Sequence, residues 1–516
     1  MILKTQPRDY QKTIFETAIN KNTLVVLPTG VGKTLISLML STERLKKYPL
    51  EKILILAPTK PLVEQHIQSF KKELPDLFAD LQLFTGAVPA KERQKIWQTA
   101  EIIFSTPQCV ANDLKNYLYD LKNVSLLVID EAHRCLKNYD YTTVAKFYKQ
   151  QAQHPRTLGL TASPGSEVAK VNQICKHLEI EEVESRTRDS PDVKPYLQEL
   201  EFEKVEVDFP KEFAEIQVLF QRIFNKKVSE LRNRKLLYGP ANKISLLKLQ
   251  RSLAKQAGSR NYNAMVGMSI CAQAIKISHG SELLETQTLS GLNTYLEQII
   301  KDAKAKKSKA AQNLFKSPDF QAALVSLSLL LQQKREHPKI EKIEELVKDE
   351  FAENKKTKIM IFTQFRETAT SISKKINSIK NVRAKIFVGQ AKKLNSKGET
   401  SGLSQKEQKK VIEEFREGKI NVLVATSIGE EGLDIPEVSA VIFYETIPSA
   451  IRKIQRTGRT ARLAPGKLIM LITKKTRDEI YHYASSARER KMHKTLQTVK
   501  EQMKNKIKVK TLEDFR

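Results

Sequence analysis

A glycine-rich stretch near the start of the chain has the residue types and spacing of a phosphate-binding loop. Residues 27–34 have the sequence LPTGVGKT and lie between the apolar run 24–26 and a second apolar run, 35–40. Glycines in such a loop let backbone N–H groups converge on phosphate oxygens at the positive end of the following helix. The lysine can then reach the β and γ phosphates, and the threonine hydroxyl can ligate magnesium. The predicted contacts to ATP and Mg²⁺ are Thr29, Gly30, Gly32, Lys33 and Thr34.

The strict form of this motif has a glycine at position 27, where this chain has leucine. The alternative interpretation is therefore a flexible glycine turn between a strand and a helix. Gly-Lys-Thr at the predicted strand-to-helix junction favours the phosphate loop. Gln11, ahead of the loop on a predicted helix, could hydrogen-bond both edges of adenine, and its position relative to the loop favours that role over a solvated side chain.

Carboxylates follow the apolar run 124–129, in the sequence Asp130-Glu131-Ala132-His133. Beside a phosphate loop, Asp130 would hold magnesium and Glu131 would orient or deprotonate the attacking water. His133 would lie near the γ phosphate and relay its state. A charged turn leaving a strand is the alternative, but the position of the pair downstream of Gly-Lys-Thr favours catalysis.

Two polar clusters occur in the second half of the chain. Arg459 and Arg462 are three residues apart, and paired guanidiniums suit the charge that develops on γ-phosphate oxygens. The stretch 426–436 offers hydroxyls and N–H groups to a phosphodiester backbone, including those of Thr426 and Ser427, and Asp434 to a ribose hydroxyl. Each cluster alone could be a surface turn, so their interpretation depends on the first half of the chain.

The positioning elements are predicted from the alternation of apolar runs with helical segments. Polar residues repeatedly follow the strands, as in a doubly wound parallel sheet whose ligands bind at the strand carboxyl ends. This α/β pattern occurs twice, on either side of a lysine- and arginine-rich helical stretch. We therefore predict an ATP-binding α/β domain at 1–205, a helical insertion at 206–336, a second α/β domain at 337–490 and a basic tail at 491–516.

Composition favours a polyanionic partner. The 516 residues carry 88 Lys and Arg against 59 Asp and Glu, a formal charge of +29. A lysine-rich solvated surface is the alternative that charge alone does not exclude. The four cysteines are far apart, the first residues lack a signal-peptide pattern, and no apolar run approaches the length of a membrane span. We expect a cytoplasmic, nucleoid-associated protein with no membrane partner.

Together these motifs resemble superfamily 2 helicases, which have two RecA-like motor domains. The resemblance implies that Gln11 contacts adenine, that Thr161 and Ser163 couple the nucleotide site to the nucleic-acid channel, and that Gln455 belongs to the arginine-bearing motif VI. It also implies strand contacts, mostly to phosphates. These predicted contacts are Thr59, Gly86, Ser105, Thr106, Thr363, Thr426 and Ser427.

Further stretches, among them 57–63 (APTKPLV) and 387–391 (FVGQA), resemble archaeal Hef and the Fanconi anaemia group M translocase over about residues 1 to 490. That family implies a thumb-like helical arm, forked or branched DNA as substrate, and ATP-driven 3′ to 5′ movement in fork restart and repair. Two departures stand out. Ala461 replaces the glycine usual in motif VI, a change that we expect to be tolerated. No ERKxxxD pattern is present, so we predict no nuclease activity and a separate nuclease as a partner.

Two other functions fit part of the pattern. A duplex-RNA-activated ATPase of the RIG-I-like type shares the helical insertion, but the four cysteines here could not build its zinc-bearing domain. A nucleic-acid clamp that only senses ATP would not need Lys33, Glu131 and both arginines. The tail has apolar residues at helical spacing from Met492 to Ile507, which predicts packing against the second domain, and Leu512 with Phe515 gives a weak sliding-clamp signal.

Overall fold

The computed structural model describes residues 3–75, 78–257, 261–390, 393–394, 400–426, 435–461 and 464–513. Its first domain is a parallel sheet of seven strands within those ranges, in the order β3-β4-β2-β5-β6-β1-β7. The strands are β1 (Thr23–Val26), β2 (Lys52–Leu56), β3 (Leu81–Phe84), β4 (Ile102–Ser105), β5 (Val124–Ile129), β6 (Thr157–Thr161) and β7 (Glu182–Ser185).

Helices cover both faces of this sheet, because its strands are nearly continuous apolar runs that must be buried on each side. Two separate apolar cores result, one on each face. The helices are α1 (Asp9–Asn20), α2 (Lys33–Lys47), α3 (Lys60–Glu73), α4 (Ala90–Thr99), α5 (Pro107–Lys115), α6 (Asp140–Gln151) and α7 (Val168–His177), with 3₁₀ turns at Ala132–Arg134 and Lys194–Tyr196.

The predicted insertion is a bundle of helices with two apolar cores of its own. Its two long helices, α8 and α10, pack against each other, so that the end of α8, helix α9 and the start of α10 form the distal tip. The helices are α8 (Lys211–Asn233), α9 (Lys243–Ala257), α10 (Tyr262–Thr286), α11 (Leu289–Lys304), α12 (Lys309–Phe315) and α13 (Pro318–Gln332).

The second domain contains a parallel sheet in the order β10-β13-β9-β14-β15-β8 within the described ranges, with a separate short hairpin of β11 and β12. Its strands are β8 (Leu200–Val207), β9 (Ile359–Phe362), β10 (Ala384–Phe387), β11 (Lys393–Leu394), β12 (Thr400–Ser401), β13 (Val422–Ala425), β14 (Ala440–Phe443) and β15 (Gly466–Thr473). Its helices are α14 (Lys339–Glu353), α15 (Arg366–Ile376), α16 (Gln405–Arg416), α17 (Ala450–Thr457) and the C-terminal α18 (Arg477–Glu513). The predicted fold class is confirmed.

Strand β8 corrects the predicted boundary at residue 205. It pairs in parallel with β15 along its whole length and forms an edge of the second sheet, although we placed most of it in the first domain. The alternating apolar residues predict a half-buried strand correctly. Alternation does not specify which sheet supplies the buried side, so the chain enters the second domain before it builds the insertion.

The prediction that the basic tail packs against the second domain is wrong. Helix α18 leaves the second domain and carries Leu496 and Val499 into an apolar core of the first domain. The sulfur of Met492 accepts a hydrogen bond from the Ser163 hydroxyl at 2.9 Å. Its 37 residues span about 55 Å, enough to bridge the two domains. The apolar periodicity predicts a packed helix but contains no information about which core receives it. None of the described helices is long and apolar enough to cross a membrane.

Candidate active site and nucleic-acid interface

The phosphate loop joins β1 to α2. Gly30 and Gly32 have φ angles of 84° and 82°, in the left-handed region that glycine adopts without strain. A Cβ at Gly32 would lie 2.4 Å from Nε2 of Gln11, so a side chain here would also displace that amide. Lys33 begins α2 and its ammonium donates to two loop carbonyls at 3.0 Å each. The loop thus places a lysine at the start of a helix, where N–H groups gather, an arrangement suited to phosphate.

Gln11 braces this loop. Its Nε2 donates to the carbonyls of Gly32 at 3.2 Å and Val31 at 3.3 Å, and its Oε1 accepts the N–H of Arg8 at 2.9 Å. It also lines a cavity of about 280 Å³ that extends along Gly30 and Gly32 to Thr34. The amide is therefore at the edge of the pocket, with protein partners for its hydrogen bonds. The adenine contact stays a prediction.

Asp130 and Glu131 follow β5 directly. Oδ1 of Asp130 accepts the N–H of Glu131 at 2.9 Å, and Oδ2 lies 2.9 Å from Nε2 of His66. Burial raises the pKa of Asp130, but the hydrogen bond from His66 and the charge of Lys33 outweigh it, so the pKa lies below its ordinary value. A carboxylate held ionised beside a phosphate loop fits Mg²⁺, with Thr34 as the other predicted ligand.

The remaining residues of this edge form a chain of contacts from β5 to β6. Nδ1 of His133 lies 3.1 Å from Oγ1 of Thr161 and 3.2 Å from Oε2 of Glu131. The Thr161 hydroxyl also accepts the N–H of Ser163 at 3.1 Å. Oε2 of Glu131 is buried, and its contact with His133 does not have the geometry of a hydrogen bond. An acceptor of this kind can take a hydrogen bond from a water that is to be activated.

His66 is a site residue that sequence reasoning missed. It lies on α3, where Val63, His66, Ile67 and Phe70 are buried on one face at helical spacing. That spacing is a usable signal that the imidazole points inward. Its carboxylate partner could not be read from the pattern, because the contact depends on the pairing of β2 with β5.

Residues at the end of α17 meet the phosphate loop across the domain boundary. A Cβ at Gly458 would lie 1.5 Å from Oγ1 of Thr29, so this approach requires a residue without a side chain. Arg459 and Gln455 belong to the same segment and are 7% and 4% exposed. The structure thus brings motif VI to the nucleotide site. A cavity of about 660 Å³ lies between the two domains, next to this contact and lined on one side by α18. Asp434 and Arg462 lie outside the described residues.

The predicted strand contacts differ in accessibility. Gly86 is exposed, Thr59 and Thr106 are half-buried, and Thr426 is buried. Ser105 and Thr363 are fully buried. The Ser105 hydroxyl donates to the carbonyl of Thr106 at 3.0 Å, and the Thr363 hydroxyl donates to Glu445 at 3.1 Å.

Both hydroxyls thus have protein partners, and their contacts to a nucleic-acid strand stay predictions. Ser427 lies outside the described residues.

Two parallel-sheet domains that meet at a phosphate loop, a carboxylate pair and an arginine-bearing segment define an ATP-hydrolysing helicase motor. Three families match successive parts of the chain. The DEAD/DEAH box helicase family matches residues 8–171, and the helicase conserved C-terminal domain matches residues 338–464. The helical bundle of a putative ATP-dependent RNA helicase family matches residues 212–337, which is the insertion.

The crystal structure of the Pyrococcus furiosus Hef helicase domain is similar over 94% of this chain and 100% of that chain, with 40% identity and a TM-score of 0.71. A putative ATP-dependent RNA helicase of Methanocaldococcus jannaschii is 37% identical over 96% of this chain and 61% of its own. The ATP-dependent DNA helicase fml1 of Schizosaccharomyces pombe is 32% identical over 93% of this chain and 58% of its own.

The chain belongs to the Hef and Fanconi anaemia group M family of superfamily 2 helicases, which confirms the family that its motifs predict. It spans between 25% and 64% of the length of eight curated relatives that it matches.

Proposed function

We propose that this chain is an ATP-dependent DNA translocase and helicase that moves 3′ to 5′ and remodels forked or branched DNA in replication-fork restart and repair. Hydrolysis is proposed to use Lys33, Glu131 and Arg459 around Mg²⁺ bound through Thr34 and Asp130. Arg462 and Gln455 would complete the second-domain side. The DNA helicase name of the fission-yeast relative supports DNA over the RIG-I-like alternative.

The observation that carries the substrate class is the tip of the insertion. No Asp or Glu occurs from residue 231 to residue 281, a segment that includes the end of α8, all of α9 and most of α10. Its cations are Arg232, Arg234, Lys235, Lys243, Lys248, Arg251, Lys255, Arg260 and Lys276. Lys243 pairs with Glu282, just beyond this segment, at 2.8 Å. The remaining excess of positive charge on the insertion suits the phosphates of a polyanion.

The same tip exposes apolar side chains. Tyr238 and Tyr262 are 78% and 76% exposed, and Ile244 and Met265 are more than half exposed. The hydrogen bond from Arg234 to Asn263 at 3.1 Å ties the loop that bears Tyr238 to the start of α10, beside Tyr262. Aromatic side chains among cations stack on unpaired bases, which occur at the branch point of a fork. This combination supports forked DNA over a uniform duplex.

ATP hydrolysis measured with forked DNA, linear duplex DNA, duplex RNA and no nucleic acid tests the proposal. We expect the strongest stimulation by forked DNA, abolished by Lys33→Ala and by Glu131→Gln. The Tyr238→Ala/Tyr262→Ala variant should weaken fork binding, since each stacked base contributes about 1–3 kcal/mol. Tyr117→Ala, at an 88% exposed tyrosine of the first domain, is the matched control. Stimulation by duplex RNA alone would contradict the DNA assignment. If the protein hydrolyses no ATP under any condition, the alternative of a nucleic-acid clamp that only senses ATP would be favoured.

The finer expectations about partners and location are proposals that follow from this activity. A separate nuclease would process the remodelled junction, and the protein would be found on the nucleoid. The sliding-clamp contact would involve Phe515, which lies outside the described residues. Co-purification with DNA-bound nuclease and clamp from a cross-linked lysate, with and without residues 510–516, would test these partners.

A further inference from the structure

Helix α3 lies between the phosphate-loop edge of the first sheet and the second domain. Thr59 precedes its first residue, and its hydroxyl is buried without a hydrogen-bond partner among the described residues. One face of the helix packs into the core of the first domain. Glu64 lies on a different face and is part-exposed. The helix therefore has one face for the core, one for a neighbouring domain, and an amino end beside Thr59, a predicted contact to the nucleic-acid strand.

The outer face of α3 contacts the second domain. The carboxylate of Glu64 on α3 pairs with the ammonium of Lys409 on α16 at 2.9 Å. The side chains are 27% and 57% exposed, so the pair is weak by itself. The ion pair matters because of where it lies: it joins the two domains at α3, the helix that starts beside Thr59.

The inner face of α3 contacts Asp130. A carboxylate can only accept, so Nε2 of His66 carries the proton in the 2.9 Å contact to Oδ2 of Asp130. Nδ1 of His66 is buried and has no hydrogen-bond partner among the described residues. His66 is 5% exposed, and its recorded polar contact is with Asp130. The imidazole thus serves one carboxylate, and that carboxylate is the predicted magnesium ligand.

We propose that α3 transmits the approach of the second domain and of a bound strand to Asp130, and that His66 is the positioning residue through which it does so. The proposal rests on the proposed function. A helix moves as a stiff unit, and His66 is seven residues, about 10 Å, beyond Thr59. A shift of the amino end of α3 therefore also moves Nε2 of His66. The hydrogen bond from Nε2 to Asp130 would weaken if its length increased by a few tenths of an ångström beyond about 3.2 Å.

The first experiment measures binding without turnover. A fluorescent, non-hydrolysable ATP analogue is titrated with Mg²⁺, with and without forked DNA. In the wild type we expect DNA to lower the Mg²⁺ concentration needed for half-maximal binding. His66→Leu, which keeps the bulk and removes the donor, should raise that concentration by about tenfold or more and abolish the response to DNA. His66→Gln, which retains an N–H donor, should restore much of both.

A second set of variants tests the domain contact. Lys409→Ala should reduce the response of Mg²⁺-dependent binding to DNA, and Lys410→Ala, at an exposed neighbouring lysine of α16, is the matched control. In steady-state hydrolysis with DNA, His66→Leu should lower kcat more than it raises KM for ATP, because the nucleotide is still held by the phosphate loop.

Wild-type Mg²⁺ dependence and DNA response in His66→Leu would overturn the proposal. Equal defects in His66→Gln and His66→Leu would overturn it as well, since they would indicate a packing role. If DNA stimulates hydrolysis in the wild type but leaves Mg²⁺-dependent binding unchanged, the transmission by α3 is overturned. If DNA neither stimulates hydrolysis nor changes binding, the proposed function fails, and the link from His66 to Asp130 is decided by the Mg²⁺ requirement measured without DNA.

Discussion

Asp130 and Glu445 occupy equivalent places in the two domains and have opposite electrostatic surroundings. Each carboxylate follows a central strand of its sheet, β5 for Asp130 and β14 for Glu445, and each is buried. The pKa of Asp130 lies below its ordinary value, because a histidine donor and a lysine charge outweigh burial. Burial raises the pKa of Glu445 to about 7, and the nearby charges of Arg456 and Lys339 offset only part of that effect.

The difference shows that backbone position does not decide what a carboxylate does. Glu445 accepts hydrogen bonds from Gln287, at the end of α10, and from Thr363, at the end of β9. The Thr368 hydroxyl donates to the same glutamine at 2.8 Å. This buried network joins the insertion to the second sheet. The position after the central strand therefore holds a predicted metal ligand in the first sheet and a structural joint in the second.

Asp130→Asn compared with Glu445→Gln gives the largest expected contrast. Each substitution keeps the size of the side chain and removes its charge. We expect Asp130→Asn to lower DNA-stimulated ATP hydrolysis by at least about 100-fold, because the predicted metal ligand is lost, and Glu445→Gln to have little effect on the rate. Comparable losses of kcat in both variants would show that the two sites are not distinct in function.

The pH dependence of stability sharpens the comparison. Because the folded pKa of Glu445 is above its ordinary 4.5, its stabilising contribution is present below pH 4.5 and is lost as the pH rises through about 7. Relative to Glu445→Gln, the wild type should lose up to about 3 kcal/mol of unfolding free energy between pH 4.5 and 8. Urea unfolding of both proteins at several pH values measures this difference. A difference that does not change with pH would contradict the raised pKa.

The two domains meet where Gly458 touches the phosphate loop, and a side chain there should hold them apart. In Gly458→Ala the new Cβ would collide with Thr29. Overpacking of this kind costs about 1–3 kcal/mol, so we expect about a tenfold loss of kcat/KM for ATP with folding intact. Gly389→Ala is the control, since its Cβ would meet ordinary contacts within the second domain. Normal kinetics in Gly458→Ala would mean that turnover does not need this approach.

The smallest effect is expected at Ala461, which has a φ of 54°. A left-handed alanine is strained, which gives a physical reason for the glycine usual at this position of motif VI. Ala461→Gly should raise the unfolding free energy of the second domain by at most about 1 kcal/mol, since the flexibility of glycine in the unfolded chain offsets part of the gain. Thermal unfolding monitored by calorimetry would detect the shift, and a lower melting temperature would contradict it.

How well a feature could be predicted from the sequence depended on how far apart along the chain its interacting residues lie. Glycine spacing at Gly30 and Gly32, and apolar runs that end in Asp130 and Glu131, are local patterns, so the sequence identifies the loop, the strands and the carboxylate pair. The resemblance of its motifs extended this to the family and to the segment that contains Arg459. Ala461 was noted as a departure, but its backbone conformation could not be seen without the structure.

The sequence by itself determined that the chain folds as two α/β domains around a helical insertion, and it predicts which residues bind phosphate and metal, because these properties depend on the periodicity and chemistry of neighbouring residues. Only the tertiary structure decided that β8 joins the second sheet, that α18 packs against the first domain, and that His66 meets Asp130. Each of these contacts joins segments far apart in the chain. An apolar stripe or an inward-facing histidine indicates that the residue contacts another part of the chain. The packing of the domains decides which part that is.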